Sequence, residues 1–120
     1  MHAWLDARGR YLASKVGELY QQGCSIRVIL GKASGDLIRG ILTDAGVPFR
    51  LSTVKNVHVH EKYLTLSGVW AGNTASRLVW TGSHNWTDGS LTRDEVIFRA
   101  EGGPALRAYQ RNFNDIWTNG

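Results

Sequence analysis

The sequence predicts an α/β fold, a mixed β-sheet sandwiched by helices, and three observations predict it. Helical and strand patterns alternate in quick succession through residue 53, which calls for parallel strands joined by helical crossovers. From about Val57 the pattern changes to strands that follow one another directly. One more amphipathic helix then ends the chain. At 120 residues, with no internal repeat, low-complexity segment or linker, residues 1–120 are expected to form one domain with its own core.

The first element covers 10–22, where Leu12, Val16, Leu19 and Tyr20 recur at helical spacing and Gly23 supplies the stop. Residues 24–30 are rich in β-branched side chains and closed by Gly31, the pattern of a strand buried on both faces. Cys24 beside that run is expected to be a small buried side chain, and as the sole cysteine it excludes an internal disulfide. Ser34-Gly35-Asp36 offers capping chemistry for a second helix that carries Leu37, Ile38, Ile41 and Leu42 and runs out near Gly46. A strand at 47–53 follows at once. Strands at 58–66 and 76–82 are joined by the connection 68–75, and a further strand covers 94–99. After the start signal Gly102-Gly103-Pro104, Leu106, Tyr109, Phe113, Ile116 and Trp117 form the apolar stripe of the last helix.

Composition narrows the function classes. Hydrophobic residues are 42% and charged residues 20%, with only two prolines, which excludes a disordered chain. No apolar run approaches the roughly 20 residues that cross a bilayer, so no transmembrane segment is expected. The opening Met-His-Ala-Trp-Leu-Asp lacks the basic start and apolar run of a signal peptide, so export has no support and the location is unknown, cytoplasmic only by default. The net charge of +4 is spread out: residues 1–50 carry seven basic and four acidic side chains, residues 51–120 seven and six. Such a mildly basic surface without a dense stripe argues against tight duplex binding, and no helix reads as a membrane-surface anchor. Trp80 and Trp117 are expected in the core, while Trp70 and Trp86 are placed where they could line a groove or meet a partner, core or interface packing being favoured over ligand stacking.

The polar chemistry is concentrated between residues 57 and 95. His58, His60 and Lys62 stand two apart, so on an extended strand they leave one face. Gly82-Ser83-His84-Asn85 follows a short β-type run and brings a turn residue, a hydroxyl and an amide to a strand end, where sites are usually built. An isolated His-x-Lys is ordinarily two polar residues on a solvated face; the second segment changes that reading. His60-x-Lys62 followed by Gly82-Ser83-x-Asn85, with Glu95 ten residues further on, resembles the phospholipase D superfamily. The resemblance extends over nearly the whole chain. "CSIRVILG", "AGVPFR", "HEKYLTLSG" and "VWTGSHNWTDGSLTRDEVIFR" are similar to one half-unit of that fold, most like bacterial phospholipase D-like proteins of unassigned substrate. It implies a metal-independent phosphodiester hydrolase, of phospholipase D or nuclease type, acting on phospholipid or nucleic acid without a cofactor.

These residue types suit that chemistry. An imidazole can displace an alkoxide from phosphorus, form a covalent phospho-enzyme and leave again, which makes His60 the candidate nucleophile. Glu95 is the carboxylate placed to orient the His60 ring, or else it pairs with Arg93 or Arg99. Lys62 offers a fixed charge to the non-bridging oxygens, Asn85 an amide donor and Ser83 a hydroxyl donor. His58 reads as a pocket-rim residue. His84, on the opposite face of an extended segment, reads as structural or rim-forming. A zinc site of His58, His60 and His84 is disfavoured because no carboxylate or cysteine sits at ligand spacing, so no metal is expected.

Two departures from the family pattern matter. The aspartate expected five residues after the lysine is Ser67, which puts the local hydrogen bonding of that turn in doubt. The second concerns the number of motifs: the family site pairs two half-units, one histidine attacking while the other protonates the leaving group, and this chain carries one set. Completion therefore calls for a homodimer or for an N-terminal half-unit preceding this one, the first strand being short or missing in residues 1–5. The alternative is a catalytically silent half-unit that binds phosphate ligands, nucleic acid or a partner chain.

Overall fold

In the computed structural model, which describes Met1 and residues 3–52, 61–92 and 94–119, the described strands form three small sheets. β1 (Ala3–Trp4) pairs in parallel with β3 (Ala33–Ser34), and β2 (Val28–Leu30) in parallel with β4 (Phe49–Leu51). β5 (Tyr63–Trp70), β6 (Asn73–Gly82) and β7 (Ile97–Glu101) form an antiparallel sheet in that order. The parallel half carries the helices α1 (Asp6–Gln21) and α2 (Asp36–Ala45). A 3₁₀ turn (Asp88–Thr92) precedes β7, and α3 (Gly103–Asn119) ends the described chain. The mixed α/β class is as expected.

The short first strand is not an empty slot. Ala3 and Trp4 are buried, with β3 on one side and a parallel bridge from Trp4 to Trp86 on the other. The main core lies here: Trp4, Ala13, Leu30, Ile38, Leu42 and Val47 pack together, and each large apolar side chain so buried stabilises by roughly 1.5–3 kcal/mol. Trp86 joins this cluster edge-on to Trp4 at 4.4 Å, so it packs as scaffold and does not line a groove. On the antiparallel half α3 packs over β6, and Leu78, Val79 and Leu106 are buried.

Several boundaries differ from expectation, each for a physical reason. α1 starts four residues early because the Arg8 N–H donates to the Asp88 carboxylate at 3.0 Å, a cap supplied by a distant loop. Its buried line is Gly9, Ala13 and Gly17, not the larger apolar stripe, since small residues let the helix lie against Trp4 and α2; Leu19 stays exposed. Cys24 is exposed, correcting the buried reading: Gly23 and Cys24 donate to the carbonyls of Tyr20 and Leu19, so this segment closes α1 and strand β2 begins only at Val28. β5 runs past the expected connection to Trp70 and turns at Ala71-Gly72, whose φ values of 48° and 84° match a two-residue hairpin turn. Ser67, at the family's aspartate position, therefore lies inside β5 opposite Arg77 and not in a turn. Among the described residues no helix is long and apolar enough to cross a membrane.

Candidate active site

The Gly82-Ser83-x-Asn85 segment lies at the crossing of three parts of the fold, and each residue type has a local cause. At Gly82 the backbone of the β7 strand passes so close that an added β-carbon would lie 1.9 Å from the Val96 carbonyl oxygen and 2.9 Å from Ile97 Cα. Only glycine fits. Ser83 is then joined to Val96 twice, its N–H donating to the Val96 carbonyl and its Oγ accepting from the Val96 N–H, both at 3.0 Å. The same hydroxyl donates to Glu95 Oε2. Its one proton is thus directed at the carboxylate, and Glu95 is held at the end of β6.

Asn85 ties the segment to the other half of the molecule. Its Oδ1 accepts the Ala3 N–H at 3.1 Å, and its own N–H donates to Ser90 Oγ at 3.1 Å. Because an N–H must meet an oxygen, this bond assigns the amide, and Nδ2 is the end that can donate to a ligand. Next to it Trp86 exchanges backbone hydrogen bonds with β1, donating to Ala3 and accepting from Leu5. The motif amide thus anchors the first strand, a role its spacing alone does not reveal.

Lys62 stands one residue before β5, and its carbonyl accepts the Gly82 N–H at 3.3 Å, which fixes the two motif segments side by side. The residue is only 5% exposed. Burial pushes its ammonium below the usual lysine range, and the nearby Glu95 carboxylate pulls it partly back. A lysine so buried beside a carboxylate has the kind of perturbed charge that clusters at functional sites.

The structure thus brings Lys62, Ser83 and Glu95 together and sets Asn85 two residues along the same segment. His58 and His60 lie outside the described residues, and with them two members of the disfavoured zinc trio. His84 is closer to this chemistry than a strictly extended segment implies, because β6 ends at Gly82. Burial lowers the pKa of its imidazole, Glu95 raises it and Lys62 lowers it, so it feels both charges of the site; its Nδ1 is buried with no hydrogen-bond partner among the described residues.

A cleft of about 680 Å³ opens beside Lys62 and Ser83, between the base of the β5–β6 hairpin and α3. It brings in Tyr63, Tyr109 and Asn112, none of which the motif pattern singles out. Only their place on the apolar stripe and next to Lys62 hinted at it.

Comparison with known proteins agrees with this fold. A sequence-family model described as "Cardiolipin synthase, PLD-like domain" matches residues 5–117. Among solved structures, the crystal structure of a phospholipase D family member, Nuc from Salmonella typhimurium, superposes with a TM-score of 0.72 at 16% identity, covering 100% of this chain and 76% of that one. At that identity the likeness concerns the fold. No curated protein sequence matches the chain.

Proposed function

Because the chain belongs to the phospholipase D superfamily, a superfamily of phosphodiesterases, we propose that it is a metal-independent phosphodiester hydrolase whose site is completed by a second copy of itself. The observation that carries this reading is the buried Lys62 beside the Glu95 carboxylate that Ser83 holds, at the two strand ends where the motif residues meet. In the proposed reaction the His60 imidazole attacks phosphorus, and a P–N bond forms as the P–O bond to the alcohol breaks. The departing oxygen takes a proton from the second copy's imidazole. Water, deprotonated by that same imidazole, then attacks phosphorus and breaks the P–N bond, restoring His60. Lys62 and the Asn85 Nδ2 neutralise the non-bridging oxygens, and Glu95 accepts the far N–H of His60. Ser83 serves by fixing Glu95.

An exposed apolar run beside the site supports pairing with a second copy. Val96, Ile97 and Phe98, running directly on from Glu95 into β7, which is an edge strand among the described residues, are 52%, 55% and 66% exposed, a run of large apolar side chains that a solvated edge does not keep. We expect Phe98→Asp to separate the copies: a charge in an apolar interface costs about 3 kcal/mol or more, roughly a hundredfold in dimer affinity. Light scattering combined with an assay of bis(p-nitrophenyl) phosphate should show a wild-type dimer with turnover and a variant monomer without it. A monomer that hydrolyses the ester contradicts completion by a second copy. A wild-type protein that never turns over points instead to a silent half-unit that only binds phosphate ligands.

A further inference from the structure

We propose that the cleft between the base of the β5–β6 hairpin and α3 holds one unpaired nucleobase, an assignment that rests on the phosphodiesterase reading and narrows its substrate to single-stranded nucleic acid. The cleft's volume of about 680 Å³ is of the size that encloses a single small ligand and far too small for a duplex. It runs from α3 up to Lys62 and Ser83, so a group seated in it is continuous with the strand ends where the scissile phosphate would lie.

Two tyrosine rings line it. Tyr63 and Tyr109 meet edge to face with ring centres 4.8 Å apart and planes at 74°. The Tyr63 hydroxyl donates to Asn112 Oδ1 at 2.8 Å, which locks both side chains and leaves the amide's Nδ2 as the donor toward a ligand. Burial, and after it Glu61 and Tyr109, pushes the Tyr63 phenol up, so it stays a neutral donor at any physiological pH. Flat aromatic faces accept any base by stacking, and an asparagine amide is suited to the donor and acceptor edge of a base.

Other occupants fit less well. An acyl chain would meet Lys62, Ser83 and Asn112, whose polar groups it cannot satisfy. A quaternary ammonium headgroup suits aromatic rings, but here it would approach the ammonium of buried Lys62, whereas the opposing carboxylate at the mouth, Glu61, is exposed and screened.

The test is calorimetric titration of the full chain with thymidine 5′-monophosphate, thymidine, phosphocholine and inorganic phosphate. Stacking of one base should make thymidine monophosphate bind roughly 5- to 150-fold more tightly than inorganic phosphate, with phosphocholine no better than phosphate. Tyr109→Leu, which keeps apolar bulk without an aromatic face, should remove that advantage, and Tyr109→Phe should retain it. The inference is overturned if thymidine monophosphate gains nothing over phosphate, if phosphocholine is preferred, or if the advantage survives in Tyr109→Leu. Thymidine separates the two claims. If it binds, and Tyr109→Leu abolishes the binding, while bis(p-nitrophenyl) phosphate is not hydrolysed, the cleft stands and the phosphodiesterase reading falls; hydrolysis without any gain in binding from the nucleoside has the reverse meaning.

Discussion

Gly82→Ala is expected to lower the melting temperature by roughly 10 °C or more and to reduce turnover at least about a hundredfold. The new β-carbon would fall 1.9 Å from the Val96 carbonyl oxygen and 2.9 Å from both Val96 C and Ile97 Cα, so backbone and not a flexible side-chain tip has to yield. Overpacking that moves backbone lies at the upper end of the usual 1–3 kcal/mol, and about 3 kcal/mol in a domain of this size corresponds to the stated shift. The functional loss follows from the same displacement. Moving β7 away parts the Ser83 hydroxyl from Glu95 and from the Val96 N–H, and a misplacement of about 1 Å in a catalytic array is worth on the order of a hundredfold in rate. Thermal denaturation and a chromogenic phosphodiester assay on one preparation check both halves. Gly40→Ala, at a helical position of α2 with open space around it, is the matched control and should not lower the melting temperature.

Lys62→Met is expected to separate activity from stability. Methionine keeps the apolar stem and removes the ammonium, whose burial already disfavours its charged form. Deleting one preorganised group that stabilises transition-state charge costs roughly 10²–10³ in turnover number. The melting temperature should remain within about 4 °C of the wild type, since an expensive buried charge is lost together with its attraction to Glu95. Turnover within a few-fold of the wild type would show that Lys62 is not the charge the phosphate meets.

These two residues also show what the sequence could reveal. α2 and α3 are legible because their signals are local: Gly35 and Asp36 open one helix and Gly46 closes it, and Gly102-Gly103-Pro104 opens the other. The start of α1 was hidden because its cap is the Asp88 carboxylate, 80 residues away in sequence. The hairpin turn was misplaced because Ala71-Gly72 adopts positive φ without the Asn-Gly or Asp-Gly pair that usually announces such a turn. Within the site, residue type and spacing single out Lys62 and Glu95, and the fold brings the two together. The anchoring of β1 by Asn85, the clamping of Glu95 by Ser83 and the joining of Tyr63 to Asn112 are tertiary contacts that no local pattern encodes. Gly82 stands between these cases: its motif marked it as important, and only the passing β7 strand explains why no other residue fits.

The central claim is that His60 attacks phosphorus without help from a metal. Its most direct test is the rate of bis(p-nitrophenyl) phosphate hydrolysis in excess EDTA, measured for the wild type and for His60→Ala at equal protein concentration. Hydrolysis that persists in EDTA and falls by about 10⁴-fold or more in the variant is the predicted result. Hydrolysis that disappears in EDTA, or that survives in His60→Ala, contradicts it.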